Sequence, residues 1–127
     1  MTPGSGAEGS VFDEASLVRF GKLVARELRL RTELNARLDD ARWMILLEIY
    51  LAMREQRDIP FMSAAHASSV AISTAQRYIH EMIEAGLIFQ HQSEGDQRIR
   101  HVSLTESGLS LVALILDQTM ALRARAD

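Results

Sequence analysis

The chain has no cysteine, no apolar run near membrane-spanning length and no surplus of positive charge, and each absence removes a class of answer. Without thiols there are no disulfides, no thiol nucleophile and no cysteine-ligated zinc, a usage that fits a reducing compartment. A membrane span needs roughly 20 consecutive apolar residues, and nothing in the chain approaches that, so the membrane is not an expected partner. The opening MTPGSGAEGS is rich in Gly and Ser and lacks the apolar core of a signal peptide. Residues 1–12 are therefore expected to be a flexible tail and the protein cytoplasmic.

Charge is equally informative. Fourteen Lys and Arg stand against 17 Asp and Glu, a net charge of −3 that argues against a protein coating nucleic acid indiscriminately. No segment is a basic block. From Phe61 to Ser103 three basic residues face four acidic ones. Any case for nucleic acid must rest on where the cations sit. All four histidines, His66, His80, His91 and His101, fall in that same segment, so mild acidity turns its charge from −1 toward positive.

The devices of catalysis are also missing. No two histidines have the four-residue spacing of a helical zinc motif, and no Gly-rich phosphate loop occurs. The acidic pair Asp39-Asp40 is explained more simply as a helix start. No catalytic residue, metal site or cofactor is expected, and the chain does not read as an enzyme.

What remains is a 127-residue chain of one domain, residues 13–127, whose patterns are mostly helical. Residues 13–38 read as an N-terminal helix: Leu17, Phe20, Val24 and Leu28 recur at steps of three and four, with Leu23, Leu30 and Leu34 widening the apolar surface. Arg19, Lys22, Arg26 and Arg29 follow the same spacing beside them and read as a solvated face. Residues 39–55 form a second helix, in which Trp43, Met44, Leu47, Tyr50 and Leu51 are expected to enter the core; Pro60 lies beyond its polar exit.

Residues 62–86 hold two short helices. Ser63 is the expected cap of the first, Ser73 starts the second, and Gly86 is placed to end it. The second is amphipathic, with Ile79, Met82 and Ile83 apolar and Gln76, Arg77 and His80 polar. This is a helix-turn-helix pattern. Residues 87–103 then read as a hairpin whose second strand runs from Gln97 to Ser103, and strand alternation sets Arg98 and Arg100 on one side of it. Residues 105–124, capped by Thr105, form a last helix apolar nearly all round, which needs another chain to cover it.

The expected fold class is thus mainly α with a small β-hairpin wing: a winged helix-turn-helix flanked by N- and C-terminal dimerisation helices. In that arrangement the second helix of the motif fits the major groove of double-stranded DNA, and hairpin arginines reach the backbone or the minor groove. Ser73, Thr74, Gln76 and Arg77 occupy the first turns of this recognition helix, where Gln suits adenine and Arg suits guanine. Arg98 and Arg100 serve affinity more than sequence choice. The alternative is a winged helix that binds protein instead.

Two stretches, STAQRYIHEMIEAGLI and DQRIRHVSLTESG, resemble the multiple-antibiotic-resistance regulator (MarR) type of winged-helix transcription factor, a likeness that runs from about residue 43 to 108. Asp96, Arg98, Leu104, Thr105 and Gly108 match its Asp-Arg-Arg wing, apolar strand and Leu-Thr-x-x-Gly. Gln97, Gln90 and Ser69 depart from it, and one C-terminal helix stands where relatives often have two. The resemblance implies a homodimer with interlocked terminal helices, a pseudo-palindromic operator and a small aromatic or phenolic effector. It also implies base reading by Ser73, Thr74 and Arg77 and a wing contact by Arg98.

Overall fold

In a computed structural model, which describes Gly9 and residues 11–93 and 95–126, Asp13 opens the first helix by accepting a hydrogen bond from the Ser16 amide at 2.7 Å. That satisfies one of the N–H groups a helix start leaves without a partner. Helix α1, Glu14–Leu34, stops earlier than the expected residue 38, because the Asn35 side chain accepts from the Arg37 amide and turns the chain. The expected tail lies mostly outside the described residues, at 1–8 and 10.

Asp39 caps α2, Asp40–Arg54, by accepting from the Arg42 amide at 2.9 Å. The residues it buries are Ile45, Leu46, Ile49 and Ala52. Of the expected core residues, Trp43, Leu47 and Tyr50 are half-buried and pack against the core, whereas Met44 and Leu51 are exposed, a correction to the expectation for those two. A helix apolar on nearly every side offers no single stripe for periodicity to select. A two-residue strand not read from the sequence follows, β1, Ile59–Pro60.

The helix-turn-helix consists of α3, Phe61–His66, and α4, Ile72–Glu84. Its first helix begins at Phe61 with Pro60 in an extended conformation at the cap position, and the expected Ser63 cap is not used. Likewise Ala71, with no side-chain bond, precedes α4, so Ser73 sits inside the first turn. At the far end Gly86 adopts φ 79°, the Gly86 amide donates to the Ile83 carbonyl, and the Leu87 amide donates to Met82. This paired closure, the Schellman motif, requires a left-handed residue, which glycine supplies without steric cost.

Strands β2, Ile88–Gln92, and β3, Arg100–Leu104, pair antiparallel, with Ile88 opposite Leu104 and Gln92 opposite Arg100. β1 adds to the other edge of β3, giving the order β1-β3-β2. The last helix, α5, Glu106–Ala126, starts at Thr105, whose hydroxyl accepts from the Gly108 amide at 3.0 Å and donates to the Gly86 carbonyl at 2.5 Å. One threonine thus fixes the end of the helix-turn-helix to the start of α5. Gly108 completes the joint: a Cβ there would lie 2.2 Å from the Leu87 carbonyl oxygen.

The core unites α2, α3, α4, the sheet and the first half of α5 through Ile45, Ile49, Ile79, Ile88, Val102, Leu104, Val112 and Ile115. Helix α1 stands apart, with Leu23 as its one buried residue. It packs along α5 and is tied to it by Glu27, which accepts from Arg123 Nε at 2.6 Å and Nη2 at 3.0 Å.

Candidate nucleic-acid interface

Helix α4 buries Ala75, Ile79 and Met82 and turns Ser73, Arg77, His80 and Glu84 outward. The steps between these exposed residues are those of one helical face. Arg77 is 66% exposed at its side chain, with a 3.9 Å approach to Glu81 and its guanidinium 5.6 Å from the centre of the Tyr78 ring, and it is open to a partner. Thr74 and Gln76 are half-buried, and the Gln76 amide lies 3.2 Å from Met62 Sδ on α3. Gln76 therefore points toward the flank of the helix, away from its outermost line.

What keeps α4 in place is a residue the sequence reading passed over. The Arg42 guanidinium sits 3.7 Å from the centre of the Tyr78 ring and bonds Glu81 at 2.7 Å and Asp39 at 2.6 Å. Burial works against its charge, but those two carboxylates and Tyr78 outweigh it and hold the group above its ordinary value. Arg42 thus fixes the solvent side of α4 to the start of α2.

The wing differs from the strand expected. Residues 97 and 98 lie in a turn and β3 begins only at Arg100, so Arg98 and Arg100 are not set on one side by strand alternation. The cause is Asp96. Its carboxylate accepts from the Arg98 amide at 3.0 Å and from the guanidinium at 3.1 and 3.0 Å, folding the tip back on itself. Those bonds lower the Asp96 pKa and raise that of Arg98. The Arg98 side chain remains 90% exposed. Arg100 donates to Gln90 Oε1 at 3.4 Å across the ladder.

The two arginines nonetheless converge. They line, with His80, Gln90, Met62 and Phe61, an open groove of about 500 Å³ between α4 and the wing. His80 and Gln90 are the members that sequence reasoning missed; only the register opposite Val102 and the fold of the hairpin bring Gln90 to this wall. The other histidines are elsewhere. His101 is buried at 7% exposure, and His91, opposite it, bonds Ser103 at 2.8 Å.

A helix-turn-helix whose second helix shows a polar face, flanked by a two-stranded wing carrying arginines, defines a winged helix-turn-helix protein. The fold is that of the MarR type, as solved structures show. A variant of S. aureus MepR bound to an oligodeoxyribonucleotide matches with a TM-score of 0.71 at 17% identity, over 90% of this chain and 81% of that one. YusO from Bacillus subtilis matches with 0.68 at 18% identity, over 87% and 74%. A probable transcriptional regulator from Pseudomonas aeruginosa gives 0.59 at 17%, over 90% and 83%. No family model and no curated protein matches the chain.

Among the described residues no helix is long and apolar enough to cross a membrane, and no group of three or more His, Asp or Glu is gathered to hold a metal ion.

Proposed function

We propose that the protein is a sequence-specific, double-stranded DNA-binding transcriptional regulator that acts as a homodimer on an inverted-repeat operator. The observation that carries this reading is the juxtaposition of the exposed face of α4 with the arginine-lined groove and wing tip. A DNA-bound MepR variant of the same fold supports it. In this reading Ser73, Thr74, Gln76 and Arg77 meet base edges in the major groove, and Arg98 and Arg100 meet the backbone or the minor groove.

The dimer is argued from unspent apolar surface. Leu17, Phe20 and Leu28 lie along α1, and Leu114 and Met120 along α5, all exposed; Phe20 is 56% and Met120 71% exposed. Both helices leave these side chains uncovered, and a second copy would bury them. A small aromatic effector is part of the proposal. A cavity of about 620 Å³ between the α1–α2 loop and the end of α4 is lined by Arg42 and Glu81, so a ligand there would disturb the pair that fixes α4.

Duplex binding titrated against salt tests the reading. The logarithm of affinity is expected to fall linearly and steeply with that of salt concentration, as counterions leave the phosphates. No duplex binding, with capture of a protein partner in its place, would favour a protein-interaction module, the role the even charge balance of residues 61–103 allows.

A further inference from the structure

We propose that the groove between α4 and the wing is a phosphodiester site in which His80 takes up a proton as DNA binds, so that affinity rises as pH falls. The proposal rests on the DNA-binding reading above and assigns a role to a residue outside the base-reading set.

Three observations place the imidazole there. His80 follows Arg77 by three residues and is exposed on the same face of α4. Its ring lies 5.3 Å from that of Phe61, tilted by 39°, a contact that holds it against the groove wall. Opposite it stand Arg98, Arg100 and Gln90 of the wing, and among the described residues no carboxylate lines the groove.

The path of a duplex supplies the ligand. With α4 in the major groove and the wing at the adjacent minor groove, the backbone strand that separates the two grooves must pass between them. Its phosphates enter a space walled by two guanidiniums and one imidazole.

The cations facing His80 are Arg98 and Arg100 across the groove and Arg77 on its own helix. The acidic groups are Glu84, four residues on, Glu81, which is paired with Arg42 and approached by Arg77, and Asp96, which is paired with Arg98. No charged residue comes from the stretch Pro60 to Met62. A phosphodiester adds negative charge on the side where the arginines dominate, so the bound state holds the proton more tightly than the free one. Imidazoles ordinarily titrate near pH 6.5, which puts the linkage between about pH 5.5 and 8.

Duplex affinity at fixed salt, measured by fluorescence anisotropy from pH 5.5 to 8, tests this with the intact protein. The parent is expected to bind roughly three- to tenfold more tightly per protomer at pH 6 than at pH 7.5. His80→Gln should flatten that slope, and His80→Lys, with a permanent charge, should bind at pH 8 about as the parent does at pH 6. His66→Gln, a change away from the groove, should leave the slope intact. A slope that survives in His80→Gln overturns the proton linkage alone. Failure of the parent to bind any duplex at any pH overturns the DNA reading, and this inference with it.

Discussion

The helix-turn-helix with its wing and the pair of terminal helices are both exposed, but in opposite ways. The first region is closed on itself: α4 is fixed by Arg42, the wing tip by Asp96, and the joint to α5 by Thr105 and Gly108. What it leaves to solvent along α4 and the wing tip is largely polar, a row of hydrogen-bonding and charged groups, with Met62, Phe89 and Ile99 as its exposed apolar side chains. The second region leaves apolar stripes uncovered, and α1 buries a single residue. A rigid polar face is what a fixed ligand such as a duplex needs, because little ordering entropy is lost on contact. An uncovered apolar face is what a second copy needs.

Breaking the second region should have the largest effect. Replacing both Leu17 and Phe20 with Glu removes apolar area from the proposed interface and adds charge, at roughly 3–5 kcal/mol or more, which weakens dimerisation by at least about a hundredfold. Sedimentation equilibrium reads the change. Both side chains are exposed in the single chain, so its helix content should persist. If the mass does not change, α1 is not the interface.

Next in size is a change at the joint of the first region. Gly108→Ala sets a Cβ against the Leu87 carbonyl, and the required shift should cost about 2–3 kcal/mol and lower Tm by roughly 10 °C in a thermal melt. An unchanged Tm would show that α5 does not dock as closely as described.

On the polar face the expected effects separate by role. Arg77→Ala should lose about 1–3 kcal/mol of discrimination between operator and unrelated duplex, whereas Arg98→Ala should weaken both about equally and reduce the salt slope by about one. Competition binding distinguishes them. Equal affinities for the parent and both variants would remove these arginines from the interface.

The smallest effect concerns the wing tip. Asp96 is held below its ordinary value of 3.8 by bonds from Arg98. Because the folded value is depressed, its ordering contribution is fully present above about pH 4 and is lost as pH falls through the lowered value. Amide shifts of Arg98 followed by NMR should report that transition, and Asp96→Asn should abolish it. An Arg98 amide insensitive to acid in the parent would mean that the tip is not held by this pair.

The two regions also differ in how much of them the sequence discloses. Short-range chemistry is partly legible: Asp39 and Thr105 mark helix starts and Gly86 marks a helix end, because a cap depends on residues within one turn. The expected starts at Ser63 and Ser73 are not used. The order helix, helix, helix-turn-helix, hairpin, helix follows from such marks. Facing relations are not legible when a helix is apolar all round, which is why Met44 and Leu51 are exposed while Ile45 and Ile49 are buried. Strand alternation misplaced Arg98 because the Asp96 side chain captures the backbone two residues on and keeps it out of the ladder. Ile59–Pro60 joins the sheet in spite of its proline, since an edge strand spends few amide donors. His80 and Gln90 meet the arginines only through tertiary structure.

Selection of bound sequences from a random duplex pool, with the mass of the bound protein measured alongside, tests the two-surface account most directly. The account predicts an inverted repeat whose half-sites are centred about 10 base pairs apart, roughly 34 Å, bound by two copies of the chain. Enrichment of no sequence, or of a single half-site bound by one copy, would contradict it.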